Sequence, residues 1–332
     1  MQTLQEEFSR IEIGRSSQFR NLTLFPLTRR SNSIRELDYL LLEDGIAQGK
    51  VLVTELHAGG SVPELRLENN ADLPVLLIDG EELVGAKQNR VLNLTILAPA
   101  KQITVIPVSC VEAGRWGMSW ADLKTADYMM YSLGRGERLA QVTESMRSNG
   151  TRKSDQQAVW RNIAAKAMRL KASSPTGAMA AIFESNTSSL EEFTRAFTWQ
   201  EGQCGVAFAI GGRVLGLEIF DHAETMRRFF QKLVRSYALD ALDADPTAHE
   251  PAIIDAVCTL ATQIRAAQSF AEQALGLGKD VRFNGPEISG AALWAQERYV
   301  HLCTFVKNNK SSGVAASRFW TRMTRPSHRS MF

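Results

Sequence analysis

Between Lys50 and Glu112 short runs of Val, Leu and Ile alternate with Gly, Pro and Asn: KVLVTEL, ELRLEN, LPVLLID, RVLNLTIL and ITVIPVSCVE. Runs of about five to seven residues at a spacing near ten predict a sheet-rich unit, a sandwich or half-barrel. NLTLFPL, Asn21 to Leu27, adds a strand before this unit, and SIRELDYLLLEDG predicts a short helix closed by Gly45.

The period then lengthens. In TRKSDQQAVWRNIAAKAMRLKA, Ser154 with Gln157 three residues on reads as a helix start, and Val159, Ile163, Ala167 and Leu170 share one face. The preceding GRGERLAQVTESMRSNGTRK, between Leu133 and Lys153, is rich in glycine and charge and predicts a mobile excursion. Next, GVAFAIGGRVLGLEIFDHAETMRRFFQKLVRSYALDAL predicts a hairpin turning at Gly211-Gly212. A helix follows, opened by an Asp221/Glu224 capping box and carrying Met226, Phe229, Phe230, Leu233 and Tyr237. A second helix is expected from Glu250 to Leu275, with Pro251 in its first turn and Gly276 as its stop, before strands at DVRFNG, GAALWA and RYVHLCTF. The resulting class is α+β. Its units are a β-rich segment over 15–117, a helical insertion over 118–190, a two-layer ββααββ unit over 191–306 and a tail over 307–332. GEELVG, GGRVLG and GPEISG share a Gly-x-x-aliphatic-x-Gly spacing, which three similar turns or a true repeat would both produce.

Composition narrows the class of protein. At 332 residues, 44% hydrophobic and 22% charged, the chain reads as soluble and nearer to two domains than one. It has no run of the roughly 18 to 20 apolar residues that a membrane helix needs, and no signal-peptide core opens it, so the cytoplasm is the expected compartment. The cysteines, Cys110, Cys204, Cys258 and Cys303, contain no C-x-x-C pair, which argues against a disulfide framework or zinc knuckle. Charge is unevenly spread. After Glu297 there is no acidic residue, while Arg298, Lys307, Lys310, Arg318, Arg322, Arg325 and Arg329 are basic; without these seven the net +2 becomes −5. The tail SRFWTRMTRPSHRSMF is therefore either an RNA or phosphate contact or a solvated extension with docked aromatics.

Two polar stretches carry the candidate chemistry: DGEELVGAKQNRVLN, Asp79 to Asn93, and SCVEAGRW, Ser109 to Trp116. Lys87 and Arg90 could neutralise a phosphate, Gln88 and Asn89 could read a base or ribose edge, and Trp116 could stack on a ring, with Asn93 and Arg115 as further ligand-binding candidates. Glu82 and Glu112 are general acid or base candidates, and Cys110 is a nucleophile candidate if a neighbouring cation lowers its pKa. The same residues suit a solvated edge strand, a packed thiol and a surface ion pair, and both readings stand at this point. No histidine pair has zinc spacing, so no metal site is predicted; Glu218, Asp221 and His222 could hold a hard ion, but Asp221 is more simply a helix cap. HAGGS is not a nucleophile elbow, and P-loop and Rossmann fingerprints are absent. No cofactor is specified.

The strings IDGEELVGAKQNRVLN, IPVSCVEAGRW and AIGGRVLGLEIFD...LVRSYALDAL resemble the bacterial and phage domain associated with ADP-ribosylglycohydrolases and rhodanese-phosphatases, first type. The resemblance spans about residues 20 to 305 and leaves the basic tail outside. It implies one functional surface made of Glu82, Lys87, Gln88, Asn89, Arg90, Asn93, Cys110, Glu112, Arg115 and Trp116. It also implies a ligand like ADP-ribose or a phosphorylated nucleotide, bound or hydrolysed in nucleotide or RNA processing or phage defence. Partner hydrolases or phosphatases are expected too. A noncatalytic adaptor that recruits such enzymes or RNA is the alternative from a different class.

Overall fold

The structure is a computed structural model that describes residues 3–30, 36–57, 59–117, 122–245, 247 and 250–307. Gln203–Ile210 is buried at all eight positions because both of its faces are covered. Val206, Phe208 and Ile210 pack under the helix Ala223–Asp243, while Ala207 and Ala209 pack under Ile254–Ala266 and Leu4–Ser9. This strand lies inside a nine-stranded antiparallel sheet in the order Ile11–Ile13, Leu22–Arg29, Gln203–Ile210, Arg213–Phe220, Arg298–Val306, Ile288–Ala295, Lys279–Asn284, Gln268–Gln273. Ser17–Phe19 pairs on Leu22–Arg29 outside that path.

The segment from Val51 to Met129 builds two smaller sheets around a separate core. One is six-stranded: Lys124–Met129, Glu81–Val84, Arg90–Leu92, Gln102–Cys110, Glu64–Asn69, Val51–Glu55. The other has Ile96–Ala98, Val75–Leu77 and Leu40–Leu41. Val53, Leu65 and Leu67 from the first meet Val75, Leu77 and Ile96 from the second with almost no exposure. The six-stranded sheet curls until Leu123, just before its first strand, donates to the Val53 carbonyl at 3.1 Å on its last. The mixture of helices and antiparallel sheets is the α+β class that the periodicities predict.

Several local expectations change in three dimensions. Gly45 does not close a helix at its own position: residues 31–35 lie outside the described residues, Leu40–Leu41 pairs parallel with Val75–Leu76, and the helix Leu42–Ala47 runs through Gly45. A Cβ at Gly45 would stand 2.5 Å from Val51 Cγ2, so packing rather than helix termination requires glycine there. The expected mobile excursion is the helix Ser132–Asn149, ended by Gly150 at φ +68°. Its glycine and charge content misleads because Arg135 and Arg138 point inward to acidic partners. The following helix, Gln156–Arg169, is capped by Asp155, whose carboxylate accepts from Ala158 N at 3.0 Å, and not by Ser154.

At the Ala223 helix, Asp221 does not cap. It accepts instead from Tyr39 at 2.6 Å and Arg298 at 2.6 Å, while Glu224 pairs with Arg227. The helix expected over 250–275 is shorter, Ile254–Ala266, because Gln268–Gln273 is an edge strand paired with Lys279–Asn284.

A buried charge network joins the curled sheet to the nine-stranded one. Asp79 accepts from Arg138 and, at 3.3 Å, from Arg135; Arg135 also donates to Glu218 at 2.7 Å, and His301 meets Glu218 at 2.9 Å and Thr95 at 2.8 Å. Glu218, His301 and Cys303 lie within 4.8 Å of one another, but Arg135 already supplies the positive charge that Glu218 faces.

Candidate functional site

Asn89 is the joint of the AKQNR segment. It begins in a turn whose backbone few residues tolerate: Gly85 lies at φ +129° and Ala86, with a Cβ, at φ +43°. The turn is held by Gly85 N donating to Asn89 Oδ1 at 3.3 Å and by Arg115 Nη1 donating to the Ala86 carbonyl at 3.2 Å. Strained backbone fixed by side chains is common where ligands are gripped.

From Asn89 the two motifs interlock. Its side-chain amide donates to Glu82 at 3.0 Å, its backbone N–H to Glu112 at 3.3 Å, and its Oδ1 accepts from Arg115 Nη2 at 2.8 Å. Arg115 Nε meets Glu112 at 2.7 Å, and Thr176 donates to the other Glu112 oxygen at 2.8 Å. Thr176 arrives on a loop that the sequence left unmarked, docked by Gly114 N to the Thr176 carbonyl at 2.7 Å. The structure therefore brings Glu82, Asn89, Glu112 and Arg115 together in one hydrogen-bonded group.

Burial gives the group its electrostatics. Glu82 has no exposure, and burial pushes its carboxyl up to about 8 against opposing hydrogen bonds from Asn89 and the neighbouring Tyr128 hydroxyl. Burial thus favours the protonated form of Glu82. Burial also pushes the Cys110 thiol up, against the smaller opposing effects of a hydrogen bond at Glu112 and the Arg90 charge. Cys110 Sγ donates to the Glu112 carbonyl at 3.4 Å and its backbone is clamped by Gln156, so the lowered pKa a nucleophile needs is not present.

Beside this group lies a cation cluster under an aromatic cover. Trp116 is 48% exposed, with Lys87 Nζ 5.4 Å and the Arg90 guanidinium 5.8 Å from its ring. Arg90 itself has no exposure; its Nε donates to the Val62 carbonyl at 3.2 Å, and burial lowers its pKa. Both Arg90 Nη atoms are buried without a hydrogen-bond partner among the described residues, the nearest carboxylate being Glu55 at 4.0 Å. Glu55 Oε2 and Gln88 Oε1 are likewise buried and unpartnered, although Glu55 Oε1 accepts from Lys87 N at 3.3 Å and Gln88 Nε2 donates to the Glu112 carbonyl at 3.3 Å. Native proteins seldom leave such atoms unsatisfied, and four of them lie together here.

Asn93 is not joined to this group. Its side chain bonds Ser109 at 2.6 Å and the Arg152 carbonyl at 3.1 Å, fastening the sheet to the segment before Gln156–Arg169. Sequence reasoning passed over Glu55, Tyr128 and Thr176. Glu55 ends a strand directly before the HAGGS segment, a position open to suspicion, whereas nothing local marks Tyr128 or Thr176. The basic tail from residue 308 lies outside the described residues; of the cations before it, Arg298 is paired with Asp38 and Asp221, and Lys307 donates to the Gly285 carbonyl. Cavities lie elsewhere, one of about 500 Å³ beside Ile254–Ala266 and one of about 280 Å³ beside Ser132–Asn149. Neither gathers unpartnered buried donors and acceptors as the covered cluster does.

Fold and site together define an α+β protein with a polar, aromatic-covered cluster at one end of a curled sheet. The chain belongs to the ARG and Rhodanese-Phosphatase-superfamily-associated Protein domain family, whose profile matches residues 10–305. No curated protein and no solved structure gives a match. Among the described residues no helix is long and apolar enough to cross a membrane.

Proposed function

We propose that this protein binds a phosphorylated ligand of the nucleotide class, such as ADP-ribose, at the Lys87–Arg90–Trp116 cluster. The observation that carries the reading is the Arg90 guanidinium: charged, fully buried, and with both Nη atoms lacking an acceptor beneath a half-exposed tryptophan. A phosphate supplies paired acceptors for a guanidinium edge, and a base or ribose ring suits the face of Trp116 once it swings aside. Lys87 adds a second positive charge. Glu82, whose protonated form burial favours and which lies one hydrogen bond from Asn89, is the candidate to give a proton to a leaving oxygen if the bound ester is cleaved. The family's association by name with phosphatase-superfamily proteins agrees with a phosphate-bearing ligand.

The test is thermal unfolding with and without millimolar ADP-ribose. A native-state binder gains about 2.7 kcal/mol at a hundred times its dissociation constant. The expected result is a rise in Tm that Arg90→Lys and Trp116→Ala each reduce; no rise in the unmodified protein overturns the reading.

A further inference from the structure

The unpartnered atoms in this cluster are of two opposite kinds. Arg90 Nη1 and Nη2 are donors that need acceptors, whereas Glu55 Oε2 and Gln88 Oε1 are acceptors that need donors. The Glu55 side chain is 4% exposed and Gln88 5%, so bulk solvent does not serve them. They belong to one neighbourhood: Glu55 Oε1 is 4.0 Å from Arg90 Nη2 and holds the Lys87 backbone N–H at 3.3 Å, next to Gln88 in the chain.

A bare anion would satisfy only the arginine. It would leave the Glu55 oxygen buried and unpaired. An ammonium group would satisfy Glu55 but would face Lys87 and Arg90. Neutral hydroxyls attached to a phosphoester meet both demands at once.

We infer that Glu55 and Gln88 accept hydrogen bonds from the vicinal hydroxyls of a ribosyl phosphoester whose phosphate sits on Arg90. This rests on the phosphate-binding reading above and adds the part of the ligand that the site selects. Trp116, half exposed on the loop after Glu112, is the cover over Arg90 that such a ligand would meet first. Glu55 is then a specificity-determining residue: a site built around a hydroxyl rejects an analogue without it, because its own buried acceptor is left unpaired.

The experiment compares AMP, 2′-deoxy-AMP and inorganic pyrophosphate on the full chain by calorimetry and thermal shift. The expected order is AMP strongest and 2′-deoxy-AMP weaker by roughly 10-fold or more. Glu55→Gln, which puts an NH2 donor where Oε2 accepts, should erase that preference. Equal affinity for AMP and 2′-deoxy-AMP in the unmodified protein overturns the hydroxyl inference and leaves the phosphate reading standing. No binding of any of the three overturns both. The nucleotide comparison uses the unmodified chain, so the inference stays open to refutation even if Glu55→Gln folds poorly.

Discussion

Arg135 Nη1 and Glu218 Oε1 meet at 2.7 Å, and neither side chain has any exposure. Burial opposes the charged guanidinium, but Glu218 and Asp79 outweigh it and raise the Arg135 pKa; burial likewise opposes the Glu218 carboxylate, and Arg135 with His301 outweighs it and lowers that pKa. Each charge is therefore kept by its partners. Because Arg135 comes from Ser132–Asn149, Asp79 from the curled-sheet segment and Glu218 from the nine-stranded sheet, the network fixes three parts of the chain to one another.

Breaking it should be costly. Arg135→Met leaves Glu218 and Asp79 buried with less compensation, and a loss of about 3–5 kcal/mol is expected by urea denaturation. A loss below about 1 kcal/mol would mean that the remaining Arg138 and His301 contacts suffice.

Gly80 should tolerate no side chain. It lies at φ +86°, and a Cβ there would stand 2.5 Å from Arg135 Nε. Gly80→Ala combines left-handed strain of about 1–2 kcal/mol with displacement of a buried arginine. We expect a Tm drop of at least several degrees, and a variant as stable as the parent would contradict the packing described.

Glu82 predicts a pH dependence of definite sign. Its carboxyl is raised from 4.5 to about 8, so between those values the folded chain holds a proton that the unfolded chain has lost. Stability is then fully present below pH 4.5 and is lost as pH rises toward 8, by up to about 1.4 kcal/mol per pH unit. Glu81, pushed up to about 7 by burial, adds in the same direction. Glu82→Gln, which mimics the protonated carboxyl, should be more stable than the parent at pH 8 and similar at pH 4.5. Tm curves for the two proteins that run parallel across this range would refute the assignment.

Thiol reactivity separates the cysteines. Cys258 is exposed, whereas Cys110, Cys204 and Cys303 are buried, and burial raises all three of their pKa values. A thiol reagent at pH 8 should modify one cysteine rapidly in the native chain and the other three only on unfolding. Rapid loss of Cys110 would show that the site opens more than the geometry implies.

What the sequence determined by itself was local. Alternation of apolar residues gave most strands between Val51 and Cys110, the Gly211-Gly212 hairpin and the strand Arg298–Val306, because each follows from short-range periodicity and turn chemistry. The AKQNR and SCVEAGRW segments were legible as polar insertions between apolar runs, and the family strings tied them together. Tertiary structure decided the rest. Arg135 and Arg138 looked like solvated charges until Asp79 and Glu218, distant in sequence, arrived to neutralise them. Asp221 was drawn from its cap by Tyr39 and Arg298, and Gln268–Gln273 became strand because Lys279–Asn284 offered a ladder. Glu55 enters the candidate site only because the six-stranded sheet curls and brings the end of its last strand beside Lys87 and Arg90. Periodicity records which face of an element is buried; it does not record which distant charge will be waiting there.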